Sequence, residues 1–184
     1  MKRFYTRTGD DGYTGFLGEG RLPKYDLRIE TLGALDEATA ALGVARSQCC
    51  APQSGPLILA IQRDLYHLMA ETSAAPANAA RFRQVDAARV AWLEEQTDAL
   101  SQVVTVPREF IVPGDCASAA ALDLARAVVR RAERRVAQLL HEQQIENPQL
   151  LLYLNRLSSL CFVLELLENQ SAGHLTPTLA NSPH

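Results

Sequence analysis

Residues 150–167 read LLLYLNRLSSLCFVLELL. Apolar side chains fall on nearly every side of a 3.6-residue turn, so this segment is a helix that is apolar almost all round. A helix of that kind belongs in the centre of a bundle or in a subunit interface. Pro148 suits its start, where the first turn needs no amide donor. Asn155, Arg156 and Ser159 interrupt the leucines, and polar groups buried there require partners. Asn155 either cross-links or caps neighbouring helices or faces a ligand.

Working outward, residues 117–141 form a long helix with Ala121, Ala125, Val128, Ala132, Val136 and Leu139 on one stripe. VPREFIVPGD (106–115) ahead of it is an extended loop bracketed by prolines, with one bulky aromatic, Phe110. Asp86 is a plausible cap for a helix carrying Val90, Trp92, Leu93 and Leu100. Leu57, Ile58, Ile61, Leu65, Leu68 and Met69 mark another helix, ending near SAAPANAA, and Leu32, Leu35 and Leu42 mark the first, which runs to about Cys49. The expected fold is all-α with five helices. A chain of 184 residues, 47% hydrophobic and 6% aromatic, fits one helical domain. That domain is expected over residues 1–170, with an N-terminal binding segment at 1–25 and a disordered tail at 171–184.

Composition excludes some functions. A net charge of −3 argues against a nucleic-acid partner. No apolar run nears the roughly 20 residues of a membrane span, and MKRFYTRTGDD has no signal-peptide core, so no membrane is expected and the expected location is cytoplasmic. Four cysteines without CxxC spacing read as small core residues. His67 and Glu71 stand four apart, but no second pair supports a metal site.

The charge is unevenly placed. Residues 126–135 hold Arg126, Arg130, Arg131, Arg134 and Arg135 against Glu133, a balance of +4, and residues 1–28 carry +2, leaving −9 for the rest. Asp123, Arg126, Arg130 and either Glu133 or Arg134 share a helix face, where like charges repel unless an acid or an anionic ligand lies against them. The plain alternative is a solvated face partly neutralised by Asp123 and Glu133. At the N-terminus, TRTGDDGYTGFLGEG (6–20) lacks the spacing of a Walker A loop or a dinucleotide fingerprint. Its glycine amides, the hydroxyls of Thr6, Thr8 and Thr14, and the basic Arg7 and Lys24 suit a polyphosphate nest. A tight hairpin fits equally, and the paired aspartates offer an alternative as holders of a cation.

Five segments in order, YTRTGDDGYTGFLGEGRLPK, LGALDEATAALG, EFIVPGD, ARAVVRRAERRV and YLNRLSSL, resemble the PduO-type ATP:cob(I)alamin adenosyltransferases over residues 3–168. The resemblance implies a five-helix bundle assembled as a homotrimer, with ATP and the corrinoid meeting at each subunit interface. It implies transfer of the 5′-deoxyadenosyl group of ATP to cob(I)alamin, giving adenosylcobalamin and inorganic triphosphate. By the same resemblance Thr6, Arg7, Thr8, Gly9, Thr14, Gly15 and Lys24 fold over the ATP triphosphate with Mg2+. Arg130, Arg131, Glu133, Arg134 and Asn155 contact the nucleotide from the adjacent subunit. Arg130 stabilises the departing triphosphate, Phe110 fills the space left by the lower axial ligand of cobalt, and Asp36 with Arg126 is a charge pair supporting the corrinoid across the interface. A corrinoid reductase and an adenosylcobalamin-dependent enzyme are the implied protein partners.

The chain departs from the family pattern at Asp115, where a glycine is usual, at Asp123 in place of histidine, at Ser159 in place of aspartate, and at Ala38 and Thr39 in place of leucine and asparagine. These changes cluster on the corrinoid side. An ATP- or corrinoid-binding carrier or sensor that keeps the bundle but transfers little is therefore the rival reading, and an assembly module without ligand explains neither the N-terminal loop nor the arginine row.

Overall fold

The computed structural model describes residues 4–181. A short antiparallel hairpin, β1 (Tyr13–Gly15) and β2 (Arg21–Pro23), pairs Thr14 with Leu22. It is followed by α1 (Leu27–Ser47), α2 (Ser54–Ser73), α3 (Pro76–Ala79), α4 (Ala87–Ser101), α5 (Ala117–His141) and α6 (Gln149–Ser171), with a 3-10 turn at Ala80–Phe82. The five expected helices are α1, α2, α4, α5 and α6. The sixth, α3, is a single turn within the SAAPANAA segment, with Pro76 at its first position. The first helix starts earlier than its leucines suggest, because Asp26 caps it by accepting from the Arg28 amide at 2.9 Å. Asp86 caps α4 as expected, accepting from the Arg89 amide at 2.8 Å.

The packing order is α2, α1, α5, α6, α4. Within it α6 is the most enclosed element, with Leu150, Leu154, Leu157, Leu160 and Leu164 inaccessible to solvent. By length and composition α6 could cross a membrane, which corrects the expectation that nothing here would qualify, but 67% of its most apolar window is buried against the other helices. The stripe on α5 also needs correction. Leu122, Ala125, Val129, Ala132, Val136 and Leu139 are buried, while Ala121 and Val128 lie at the margin. Both stripes have helical spacing; α5 is flanked by α1 and α6, and the one lying between them is buried.

Polar groups inside the bundle are tied across helices. Tyr153 of α6 donates to Asp64 of α2 at 2.6 Å, and Arg89 of α4 donates to the same carboxylate at 2.8 Å. Glu168 accepts from the amides of Cys50 and Ala51 at 2.6 and 3.2 Å, closing the α1–α2 turn. Glu71 is buried and bonded by Arg83 and Asn147, while the exposed ring of His67 lies edge-on to Tyr66. Cys161 is buried as expected, whereas Cys50 is exposed.

Residues 172–181 differ from the expected disordered tail. They turn back onto residues 110–115, with Leu179 bridged antiparallel to Ile111. Residues 1–3 of the expected N-terminal segment and 182–184 of the expected tail lie outside the described residues.

Two helix ends use the same hydrogen-bond pattern with different residues. After α6, the amides of Gly173 and His174 bond back to Gln170 and Asn169, and Gly173 has φ 93°. After α5, the amides of Gln143 and Gln144 bond back to Leu140 and Leu139, with Gln143 at φ 57°. A side chain in that left-handed conformation costs roughly 1 kcal/mol. Gln143→Gly is expected to raise the melting temperature by about 2–4 °C, and calorimetry checks it.

Glu165 of α6 is 1% exposed, and neither carboxylate oxygen has a hydrogen-bond partner. Burial, and then the nearby charge of Asp123, raise its pKa to about 7, with Arg126 opposing. The folded state therefore holds a proton that the unfolded chain releases near pH 4.5, and stability falls as pH rises from there to about 7. Glu165→Gln should remove this component. The difference in unfolding free energy between variant and wild type should grow by up to about 3 kcal/mol between pH 4.5 and 8, measured by urea titration.

Candidate active site

The site begins with the placement of α5. Its buried stripe leaves Asp123, Arg126, Arg130, Glu133 and Arg134 along the edge that meets α6. Two cavities open on this row. One, of about 380 Å3, is lined by Arg130, Glu133, Arg134, Ala137, Leu151, Leu152 and Asn155. The other, of about 460 Å3, lies between residues 107–113 and the Asp123, Arg126 and Phe162 side chains. Arg126 and Arg130 are four residues apart, about 6 Å along the helix axis, so the two cavities are neighbours.

The charges of the row are sorted by their partners. Arg126 bonds Asp123 through Nε at 2.8 Å and Nη2 at 2.7 Å. Arg131 turns away from the cavities and pairs with Glu37 of α1. Glu133 accepts from the Asn155 amide nitrogen at 2.8 Å, and the Asn155 oxygen accepts from Arg156 at 2.8 Å. Asn155 thus cross-links α5 and α6 as well as lining the smaller cavity. Among the described residues Arg130 and Arg134 have no hydrogen-bonded or ion-paired acid, and both are exposed. The smaller cavity is consequently the most electropositive part of the row.

Phe110 stands at the larger cavity with 84% of its surface exposed. Arg108, Glu109, Pro113 and Phe162 complete this wall. Phe162 was not separable from the other apolar residues of α6 by spacing alone.

The N-terminal residues gather elsewhere. Thr6 and Thr8 bond through their hydroxyls at 2.8 Å, Arg7 has φ 61° and stacks on Tyr5, and Lys24 lies so close to Gly9 that an added Cβ there would sit 3.1 Å from Nζ. Thr14 and Gly15 form part of β1. Arg21 grips Asp11 at 2.7 and 2.8 Å, lowering the pKa of that carboxyl to about 2. The opening stretch is therefore a hairpin with a basic end, and Asp11 is spent on Arg21. The hairpin is fixed by Leu17, whose amide donates to Ser73 at 3.0 Å and whose carbonyl accepts from Ala75 at 2.9 Å. Gly18 is required there, since a Cβ would approach Phe16 and Ala75 to 2.7 and 2.8 Å.

Asp36 is exposed in a third, open groove of about 570 Å3 between α1 and α2, beside Leu17, Tyr66 and Met69. It does not meet Arg126 within the chain. No hydrogen bond or ion pair among the described residues joins the hairpin to the α5 row. One chain thus brings together Arg130, Glu133, Arg134 and Asn155, and separately Phe110 and Arg126, while the hairpin and Asp36 lie on other elements.

A sequence profile of the family described as cobalamin adenosyltransferase matches residues 4–168. The corrinoid adenosyltransferase PduO of Salmonella typhimurium is 34% identical over 169 residues, covering 91% of this chain. The chain spans only 50% of that relative's length. The corrinoid adenosyltransferase of Bacillus subtilis is 34% identical, with 93% of this chain and 89% of the relative covered, and the cobalamin adenosyltransferase of Cupriavidus metallidurans is 37% identical, with 94% and 91% covered. Among solved structures, a variant PduO-type ATP:corrinoid adenosyltransferase from Lactobacillus reuteri complexed with cobalamin and ATP superposes with a TM-score of 0.88 at 32% identity, covering 98% of each chain. A further variant of the Lactobacillus reuteri enzyme, complexed with ATP, gives 0.87 at 32% identity, covering 97% of this chain and all of that one. With the profile running from ahead of the hairpin to residue 168 near the end of α6, and the whole bundle shared, the chain belongs to the cobalamin adenosyltransferase family.

Proposed function

We propose that this protein transfers the 5′-deoxyadenosyl group of ATP to cob(I)alamin, releasing inorganic triphosphate. The observation that carries the reading is the pair of neighbouring cavities on one helix edge: an electropositive one suited to phosphates, and one with an open aromatic ring suited to the apolar face of a corrin. The reduced cobalt donates an electron pair to the 5′ carbon, the cobalt–carbon bond forms, and the carbon–oxygen bond to triphosphate breaks. No base is needed. The protein's part is to hold the two substrates in line and stabilise negative charge on the leaving group, a role for Arg130 with Arg134. Phe110 occupies the face of the corrin from which the lower ligand has gone.

In this reading the hairpin residues Thr6, Arg7, Thr8, Gly9, Thr14, Gly15 and Lys24 close over the triphosphate, and Arg131 and Glu133 support the nucleotide wall. Mg2+ arrives with ATP. The fit of residues to the ion is limited, since Asp11 is bound by Arg21, Glu133 accepts from Asn155, and no cluster of three metal-ligating side chains stands among the described residues. Its ligands would be phosphate oxygens and water.

A homotrimer completes the site. The separation of the hairpin and Asp36 from the α5 row supports this, because a neighbouring copy can set its α1–α2 groove against the row and bring Asp36 to Arg126. A cytoplasmic location accords with four cysteines that form no disulfide, and a corrinoid reductase and an adenosylcobalamin-dependent enzyme are the protein partners proposed.

The reading is tested by following cob(I)alamin absorbance anaerobically with and without ATP, together with triphosphate release and the mass by light scattering. ATP-dependent loss of cob(I)alamin, stoichiometric triphosphate and a trimeric mass are expected. Binding of both ligands without triphosphate would instead favour the carrier or sensor.

Arg130→Ala should lower turnover about a hundredfold or more, equivalent to about 3 kcal/mol, with an unchanged melting temperature. Steady-state kinetics and calorimetry decide it. A second expectation concerns Arg126, which Asp123 already engages. Asp36→Asn should weaken corrinoid binding modestly in the wild type and more strongly when combined with Asp123→Ala. A double-mutant cycle on the corrinoid Kd reads the coupling, and simple additivity would show that the two carboxylates do not share Arg126.

A further inference from the structure

Residues 104–115 carry the larger cavity's wall but belong to no helix or strand. Among the described residues, the non-helical backbone hydrogen bonds that reach residues 104–115 all come from one place, the segment following α6. The Val112 amide donates to the Thr178 carbonyl at 2.8 Å, and the Ala180 amide donates to the Phe110 carbonyl at 2.8 Å. Asp115 then grips Thr178 at two points, Oδ2 accepting from the Thr178 amide at 2.9 Å and Oδ1 from its hydroxyl at 2.6 Å. Gly114, at φ 133°, makes the turn that places Asp115 there. These bonds hold the Asp115 carboxyl below its ordinary pKa.

We propose that Asp115 and Thr178 are positioning residues of the corrinoid cavity: their two-point clasp fixes residues 178–180 as an edge strand on the 110–112 loop, and that strand sets where Phe110 stands. The inference rests on the proposed transferase reading for its functional consequence, and on hydrogen-bond geometry for the clasp itself. Phe110 is solvent-exposed and has little packing of its own to fix its backbone. Its carbonyl is held by Ala180, and two residues on the Val112 amide is held by Thr178, so loss of the clasp frees both ends of the segment that presents the ring. Asp115 is only an outer support and touches no substrate.

The test uses the full chain with Asp115→Ala, Asp115→Asn, Thr178→Val and Thr178→Ser. Amide hydrogen exchange at Val112 and Ala180 is measured alongside transfer to pre-reduced cob(I)alamin and to cob(II)alamin reduced in place. Asp115→Ala should speed exchange at both amides about tenfold, the loss expected for a hydrogen bond to a charged group. Its rate with cob(II)alamin should fall more than its rate with cob(I)alamin, since only the former requires the lower ligand to be displaced, and the KM for ATP should not change. Asp115→Asn, with one acceptor oxygen left, should be intermediate, and Thr178→Ser, which keeps both donors, should match wild type. Because Asp115 also precedes the α5 N-terminus, where an acid is favourable, Thr178→Val separates loss of the clasp from loss of that charge and should behave like Asp115→Asn. Wild-type exchange in Asp115→Ala overturns the clasp, and faster exchange with unchanged corrinoid rates overturns its positioning role. A wild type inert toward cob(I)alamin would overturn the transferase reading alone; the role of the clasp would then be read from cob(II)alamin affinity, with unchanged binding in Asp115→Ala counting against it.

Discussion

The absence of a polar face on α6 constrains the whole bundle. A helix with leucines on every side is stable in water only when every side is covered, at roughly 25 cal/mol for each Å2 of apolar surface removed from solvent. Helices α5 and α4 provide most of that cover, and Tyr153 ties α6 to α2 and α4 through Asp64. Once α5 is committed to α6 through Leu122, Ala125, Val129 and Val136, its polar row has one place to go, the edge of the α5–α6 seam. The two cavities are consequences of that seam: Asn155 and Phe162 emerge from α6 where the row passes.

Five arginines on ten residues of α5 repel one another, and the structure relieves the repulsion selectively. Asp123 engages Arg126, and Glu37 engages Arg131 from α1. Glu133 is turned toward Asn155. Arg130 and Arg134 keep their charge facing the smaller cavity. A polyanion there would gain from a field already assembled, which is how preorganised electrostatics stabilises a leaving group. Burial works against Glu165 instead, an acid inside the bundle near Asp123 and Asp115 whose carboxylate oxygens lack a hydrogen-bond partner.

Two departures from the family pattern acquire partners in the fold. Asp123 takes the guanidinium of Arg126, and Asp115 takes Thr178 from the segment after α6. Both lie around the larger cavity, one on its helical side and one behind its loop. At these two positions the substituted carboxylates form specific local bonds.

Helical periodicity, caps such as Asp86, and the all-round apolar character of residues 150–167 made the five long helices and the central place of α6 legible in the sequence. Five ordered motifs made the family legible as well, because local spacing and residue chemistry are properties of the chain alone. The buried stripe of α5 was not legible: Ala121 and Val128 keep helical spacing as well as Leu122 and Val129 do, and only the positions of α1 and α6 choose between them. Nor was the sorting of the arginines, since Arg131 differs from Arg130 by one residue, about 100° around the helix axis, and that rotation sends it to Glu37. The segment after α6 meets residues 110–115 through Asp115 and Thr178, 63 residues apart. Contacts between groups so distant in the chain leave no periodic trace in it, and only the tertiary structure decided them.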